Sequence, residues 1–212
     1  MTVTATTSLT RPIDVFADIL CPFTHVGLRR FVTARKARQS SRRLHVRAWP
    51  LELVNGAPLD RELVAREIAA LRASVAPDLF AGFATGIWPS TSIPAFGLAA
   101  AAYEIDDRVG EVVSLALREA LFEDGLDIAA IATLEEIGGR FGVAVPDTSA
   151  NEAAVRADWA AGRLLGVKGS PHFYVDGRDW FCPGLIVEHD ANGFVIHDAG
   201  KRVEEFLAVA LA

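Results

Sequence analysis

The sequence lacks the features that define several common classes of protein. It contains only two cysteines, Cys21 and Cys182, among 212 residues, which is too few for a disulfide-stabilised scaffold. The expected location is therefore a reducing cytoplasm. With a net charge of -6 the chain has no basic excess for binding nucleic acid. No apolar run is long enough to cross a membrane, and the Thr-rich segment 1–12 lacks the apolar core of a secretory signal. We therefore expect neither a nucleic acid nor a membrane as a partner.

The histidines also fail to form a metal-binding pattern. There are five of them, and none clusters with cysteines or carboxylates at the spacing of metal ligands, so no metal site is predicted. What is present is a composition of 51% hydrophobic and 23% charged residues, which is typical of a globular protein with a sizeable core.

The hydrophobic pattern predicts a βαβ unit followed by helices and a short β-rich tail. Residues 13–20 form a β-branched apolar run, helical spacing begins at Pro22, and residues 44–49 alternate between apolar and polar. This order implies a parallel strand pair with a right-handed crossover. Helices are expected over residues 59–74, 93–105, 107–122, 127–141, 149–165 and 203–211, and strands over residues 172–175, 180–182 and 194–197.

Cys21 lies where the first strand turns into the first helix. A cysteine at a helix N-terminus meets unpaired N–H groups and the positive end of the helix dipole, and both stabilise a thiolate. Pro22 suits the first helical turn because its missing N–H is not required there. These features predict an accessible, reactive thiol, whereas the alternative is a small buried residue of the core.

Thr24 occupies the position at which a Cys-x-x-Cys motif would have its second thiol. Without that thiol, a mixed disulfide on Cys21 persists until an external thiol attacks it. The Thr24 hydroxyl is placed to donate to the Cys21 sulfur, although it could instead bond to the local backbone. Asp18 and His25, on either side, are candidates for tuning the pKa of the thiol or for transferring a proton, with structural roles as the alternative.

Three segments, together with the helical insertion between the second and the third, resemble a known family. They are 18–24 (Asp-Ile-Leu-Cys-Pro-Phe-Thr), 49–53 (Trp-Pro-Leu-Glu-Leu) and 166–175 (Gly-Val-Lys-Gly-Ser-Pro-His-Phe-Tyr-Val). In this order they resemble the DsbA-like branch of the thioredoxin superfamily, in particular the cytoplasmic thiol oxidoreductases related to 2-hydroxychromene-2-carboxylate isomerase and kappa-class glutathione transferase. The resemblance implies an α/β fold with a thioredoxin-like core (βαβ … ββα) at 13–56 and 150–212, and an all-helical insertion at 57–149.

The resemblance also implies roles for individual residues. Cys21 would be the catalytic nucleophile and Thr24 its hydrogen-bond donor, while Ser170 and a cis Pro171 would hold the substrate through the backbone. Trp88, in the least helical part of the insertion, is a candidate for lining a ligand groove. The full set of expected substrate-binding residues is Pro22, Phe23, Trp88, Ser170, Pro171 and His172.

The function that follows from the resemblance is thiol–disulfide exchange through a single nucleophilic cysteine. One alternative is an isomerase or transferase that depends on glutathione or a similar thiol, and another is a non-catalytic binding protein with the same fold. No bound cofactor is expected, although glutathione or an analogous thiol would serve as cosubstrate. The expected partner is a small-molecule thiol or disulfide. A homodimer and an internal bond between Cys21 and Cys182 are both left open, and for Cys182 the alternative is a packed core thiol.

Overall fold

A four-stranded mixed sheet carries the segment that contains Cys21. The computed structural model describes residues 11–190 and 193–212. In the sheet the strands are ordered β2-β1-β3-β4; β1 is parallel to β2 and antiparallel to β3, and β3 is antiparallel to β4. The elements in chain order are β1 Ile13–Ala17, α1 Pro22–Ala37, β2 Leu44–Ala48, α2 Leu51–Asn55, α3 Arg61–Ser74, α4 Ile93–Ile105, α5 Asp107–Phe122, α6 Ile131–Phe141, α7 Thr148–Leu165, β3 His172–Val175, β4 Arg178–Phe181, β5 Leu185–Asp190, β6 Gly193–Asp198 and α8 Lys201–Ala210.

The predicted order of strands, helices and hairpin is confirmed, with differences at a few element ends. The helix expected over residues 127–141 begins only at Ile131, because the Asp127 side chain accepts a bond from the Ala129 N–H at 2.8 Å and closes a turn instead. The strand expected at 194–197 exists as β6, but its partner β5 was not predicted. Short α2 was also missed.

Helices cover both faces of the sheet. On one face the rings of Phe31 in α1 and Phe206 in α8 pack on Phe173 of β3, with ring centroids 6.4 and 4.8 Å from it. On the other face α7 approaches β2 very closely at Gly162. A Cβ at that position would lie 2.6 Å from the Trp49 ring, so only glycine permits this packing. The sheet is therefore fixed from both sides.

The helical region and the C-terminal hairpin pack beside the sheet. Helices α4 and α5 contact each other extensively, α7 packs on α4, and β6 of the separate β5–β6 hairpin packs on α3. One apolar cluster joins Leu20 and Val26 to residues of helices α3, α4, α5 and α6. The division into a core at 13–56 and 150–212 and an insertion at 57–149 stays a prediction. In the described ranges no helix has the length and apolarity needed to cross a bilayer.

One side chain of α1 connects three other segments. The Arg30 guanidinium donates to the Gly184 carbonyl at 3.2 Å, to the Asp198 carboxylate at the end of β6 at 2.8 Å, and to the Val75 carbonyl after α3 at 3.0 Å. The helix that begins next to Cys21 therefore holds the turn after β4, the hairpin and the end of α3 in place.

Candidate functional site

Cys21 caps the N-terminus of α1, as its sequence position predicts. Its backbone is extended, and Pro22 takes the first helical position. The Sγ–H donates to the Ser170 carbonyl oxygen, with Sγ and O 3.4 Å apart. The expectation that the thiol is accessible is wrong in this structure, because only 3% of Cys21 is exposed. The segment around Ser170 covers the sulfur, and this contact between distant parts of the chain cannot be read from the local sequence.

Two hydroxyl groups lie beside the Cys21 sulfur. The Oγ atoms of Thr24 and Ser170 are 2.7 Å apart, and the Ser170 hydroxyl also accepts the Asp18 N–H at 2.8 Å. Both hydroxyls, together with the Thr24 N–H, favour the ionised form of Cys21. The structure thus brings Cys21, Thr24 and Ser170 together. Thr24, in the first turn of α1, and Ser170, from a distant segment, both supply hydrogen-bond donors for a sulfur anion.

The segment before β3 completes this side of the site. The Ser170–Pro171 peptide bond is cis. The Pro171 ring lies over Gly27 of α1, where a Cβ would be 3.6 Å from the Pro171 Cγ. Pro171 is therefore in contact with the helix that begins next to Cys21.

The Cys21 thiol is held in its neutral form. Burial raises its pKa to about 11, and this effect outweighs the opposing hydrogen bonds from Thr24 and Ser170; the nearby charge of Glu67 raises the pKa as well. The helix N-terminus alone would lower this pKa. Exclusion of water therefore has the largest effect on the pKa of the thiol.

Asp18 lies beneath the site and is completely buried. Its carboxylate accepts the N–H groups of Leu20, at 2.7 Å, and of Leu51, and the backbone carbonyl of Asp18 accepts a bond from Arg118 at 3.3 Å. Burial raises the pKa of Asp18 to about 6, although these backbone bonds and the Arg118 charge oppose the shift. Asp18 is thus a structural acid that joins the start of α2 to the turn before Cys21, rather than a solvated residue at the end of a strand.

The two histidines near the motifs have partners of their own. The His25 Nε2 is 2.6 Å from the Glu123 carboxylate, which also accepts the N–H groups of Phe80 and Ala81. The buried His172 ring accepts the Lys168 N–H at 3.1 Å and bonds to Asp179 at 3.0 Å. Burial lowers the pKa of both imidazoles. The contacts of His25 and His172 thus lead away from Cys21.

A cleft of about 490 Å³ opens in front of Ser170. Phe23 forms one side, Cys182 and Phe181 another, and apolar residues of β5 and β6 face them. Glu67 of α3 also lines the cleft, and burial raises its pKa to about 7. A second cavity of about 630 Å³, between α4, α6 and α7, contains none of the predicted site residues.

Trp88 lies outside this cleft. Its indole N–H donates to the Leu59 carbonyl at 3.2 Å, and its ring packs edge-on to Phe83 with centroids 6.1 Å apart.

Sequence reasoning also missed Glu67 and Arg118, both charged groups near Cys21. The only available signal was an arginine within the apolar run of α5, four residues after Ser114, to which Arg118 bonds at 2.8 Å. Within the described ranges no group of three or more potential metal ligands occurs.

Comparisons with known proteins agree with this geometry. The family model described as a DSBA-like thioredoxin domain matches residues 12–187. A comparison with curated protein sequences finds no match.

Several solved structures share the fold. The cytosolic disulfide reductase DsbM from Pseudomonas aeruginosa is 19% identical, with a TM-score of 0.60 over 95% of this chain and 100% of its own. DsbM has also been solved with glutathione (GSH). A probable DsbA oxidoreductase from Streptomyces coelicolor is 16% identical, with a TM-score of 0.62 over 94% of this chain and 90% of its own. A 2-hydroxychromene-2-carboxylate isomerase is 13% identical, with a TM-score of 0.59 over 81% and 88%.

Proposed function

Because the chain belongs to the family of DSBA-like thioredoxin domains, we propose that it is a thiol–disulfide oxidoreductase in which Cys21 alone attacks the substrate. The observation that carries this proposal is the set of donors around one sulfur. The hydroxyls of Thr24 and Ser170 and the N–H of Thr24 all favour the anion of Cys21. An apolar core would hold a cysteine without any such arrangement.

The reaction begins when Cys21 loses its proton and attacks one sulfur of a substrate disulfide. The bond between Sγ and that sulfur forms, the substrate S–S bond breaks, and the leaving thiolate takes up a proton. The Ser170 carbonyl loses the S–H that it accepts in the free protein. It then becomes available to an N–H of the bound substrate, while Phe23 contributes apolar contact from the wall of the cleft.

Thr24 decides how the mixed disulfide is released. Since a hydroxyl cannot attack a disulfide, the local motif provides no second thiol. A low-molecular-weight thiol such as glutathione is the external partner that we propose. The structure of DsbM with GSH supports this choice, and its description as cytosolic agrees with the cytoplasmic location expected from the low cysteine content.

The second candidate is an isomerase or transferase that depends on a bound thiol. The burial of Cys21 favours this reading, because only 3% of the residue is exposed and its pKa is raised to about 11. In that case the hydroxyls of Thr24 and Ser170 would stabilise the thiolate of the cosubstrate, and Cys21 would stay reduced. The fold that this chain shares with an isomerase supports this second candidate.

The two candidates differ in the fate of Cys21. We would treat the reduced protein with glutathione disulfide and measure the intact mass of the natural chain and of Cys21→Ser. Oxidoreductase chemistry predicts covalent oxidation of the natural chain that depends on Cys21. If Cys21 stays unmodified while the protein still binds glutathione reversibly, the transferase reading replaces the first. If the protein neither reacts with nor binds any thiol, it is a binding protein for another ligand.

A further inference from the structure

Cys182 lies next to the same short segment that holds Cys21. The Cys182 N–H donates to the Pro171 carbonyl at 2.9 Å, whereas the Cys21 thiol donates to the carbonyl of Ser170, the preceding residue. Both cysteines are free. The two residues are 161 positions apart in the sequence, yet consecutive carbonyl groups bind them.

Cys182 also faces the cleft in which a substrate of Cys21 would bind. It lines the cleft together with Ser170 and with Phe23, which follows Cys21 by two residues. The two thiols are close enough for an ionised Cys21 to raise the pKa of Cys182. A substrate sulfur held beside Ser170 in this cleft would therefore lie near Cys182 as well.

We propose that Cys182 is the resolving thiol for Cys21, so that the protein is a dithiol reductant whose two cysteines come from opposite ends of the chain. The inference rests on the proposed function, since it requires Cys21 to form a mixed disulfide first. It replaces the missing cysteine at position 24 with one that is distant in sequence and close in the fold.

The electron and proton balance of the step is simple. Cys182 loses its proton and attacks the Cys21 sulfur of the mixed disulfide. The Cys21–Cys182 bond forms, the bond to the substrate sulfur breaks, and the substrate thiolate takes up the proton. Over both steps the substrate disulfide gains two electrons and the protein dithiol loses them. Two molecules of a low-molecular-weight thiol then reduce the protein again and leave as their disulfide.

The Arg202 charge favours the thiolate of Cys182 in the mixed disulfide. Burial raises the pKa of Cys182 to about 12, an ionised Cys21 would add to that shift, and the Arg202 charge opposes it. A disulfide-bonded Cys21 cannot ionise, so the Arg202 charge then acts on Cys182 without that opposing contribution. The new disulfide is itself uncharged and suits a buried position.

Cys182 stands at the start of the turn after β4. Cysteines can be bridged only when their Cα atoms lie within about 7 Å. Cys182 has a φ of 43°, in the left-handed region that non-glycine residues rarely adopt. It follows the last residue of β4 and precedes Pro183 and Gly184, so any backbone adjustment that brings its sulfur to Cys21 falls in this turn and acts on the bond between Arg30 and the Gly184 carbonyl.

The test compares the natural chain with Cys182→Ser, Cys182→Ala and Cys21→Ser. Each reduced protein is exposed to glutathione disulfide, freed of excess reagent and followed by intact-mass analysis and non-reducing peptide mapping. We expect the natural chain to become lighter by two hydrogen atoms, with Cys21 and Cys182 in one linked peptide. We expect both Cys182 variants to keep glutathione on Cys21 at least about tenfold longer, because they lack a thiol at high effective concentration. Thermal unfolding confirms that each variant is folded.

The outcomes separate the two proposals. If the natural chain keeps its glutathione adduct as long as the Cys182 variants and forms no internal bond, the resolving role is wrong and the proposed function stands. If Cys21 takes up no glutathione in any of the proteins, both proposals fail. If Cys21→Ser acquires glutathione on Cys182 as fast as the Cys182 variants acquire it on Cys21, then Cys182 is itself an attacking thiol, which overturns the assigned order of the two cysteines.

Discussion

Replacing Thr24 with valine tests whether its hydroxyl stabilises the Cys21 thiolate. Valine keeps the shape of the side chain, which is completely buried, and removes only the hydrogen-bonding group. The thiolate would keep the Thr24 N–H and the Ser170 hydroxyl and would lose one donor. In the neutral state the change breaks the 2.7 Å contact between Thr24 and Ser170. The Thr24→Val variant should therefore have a Cys21 pKa even higher than the value of about 11 in the natural chain.

The size of the effect follows from the energy of one hydrogen bond to a charged group. Such a bond contributes about 1.5–3 kcal/mol in proteins. Because one pKa unit corresponds to about 1.36 kcal/mol, the pKa of Cys21 should rise by about 1–2 units. At neutral pH the thiolate fraction, and with it the rate of alkylation, should fall about 10- to 100-fold.

The assay is the rate at which iodoacetamide alkylates Cys21 between pH 7 and 9, measured in a Cys182→Ser background so that one thiol is followed. Thr24→Ser is the matched control, since it keeps the hydroxyl and loses only a methyl group. It should react within a few-fold of the natural residue. The reasoning is refuted if Thr24→Val reacts as fast as the natural chain, or if Thr24→Ser is as slow as Thr24→Val.

Three further perturbations address charged groups around the site. Glu67→Gln removes a negative charge that raises the Cys21 pKa, so alkylation of Cys21 should accelerate above pH 7, where Glu67 is ionised; an unchanged rate would contradict this. Asp18 has its folded-state pKa raised from 3.8 to about 6, so its contribution to stability is present below pH 4 and is lost as the pH rises to 6. Asp18→Asn should reduce the change in unfolding free energy between pH 4 and pH 6 by about 3 kcal/mol. Urea titrations at these two pH values that give the same change for both proteins would refute this. Burial opposes ionisation of Glu123, but three donors, His25 among them, hold its pKa at about 2. Glu123→Ala should therefore lower the unfolding free energy by about 2–3 kcal/mol, and Glu123→Gln should lower it by less.

The parts of the fold that the sequence predicts are those with local signals. Helix α5 is flanked by such a signal, because Asp106 accepts the Val109 N–H at 2.7 Å and caps the helix where the pattern places it. Strand β5 lacks one. Its residues Glu188, His189 and Asp190 are polar, and it exists only because β6 pairs with it, which is a contact that periodicity cannot register.

The same distinction applies to the site. The position of Cys21 at the start of α1 follows from local sequence, and so does the presence of Thr24 one turn later. The burial of Cys21 does not, because Ser170 covers it from 149 residues away. Glu67 looks like any charged residue of an amphipathic helix until α3 is placed at the cleft. Long-range packing therefore makes the largest contribution to the pKa of the thiol, while the local motif places the thiol and supplies the opposing donors of Thr24.

The three bonds of Arg30 give the cleft a mechanical property. The turn after Cys182, the end of β6 and the end of α3 are all attached to α1, the helix that starts next to Cys21. A bulky substrate that pushes these walls apart must therefore stretch bonds to that helix. The segments around the cleft and the helix that begins next to Cys21 are thus joined through a single guanidinium group, so a change in the spacing of these segments is transmitted to α1.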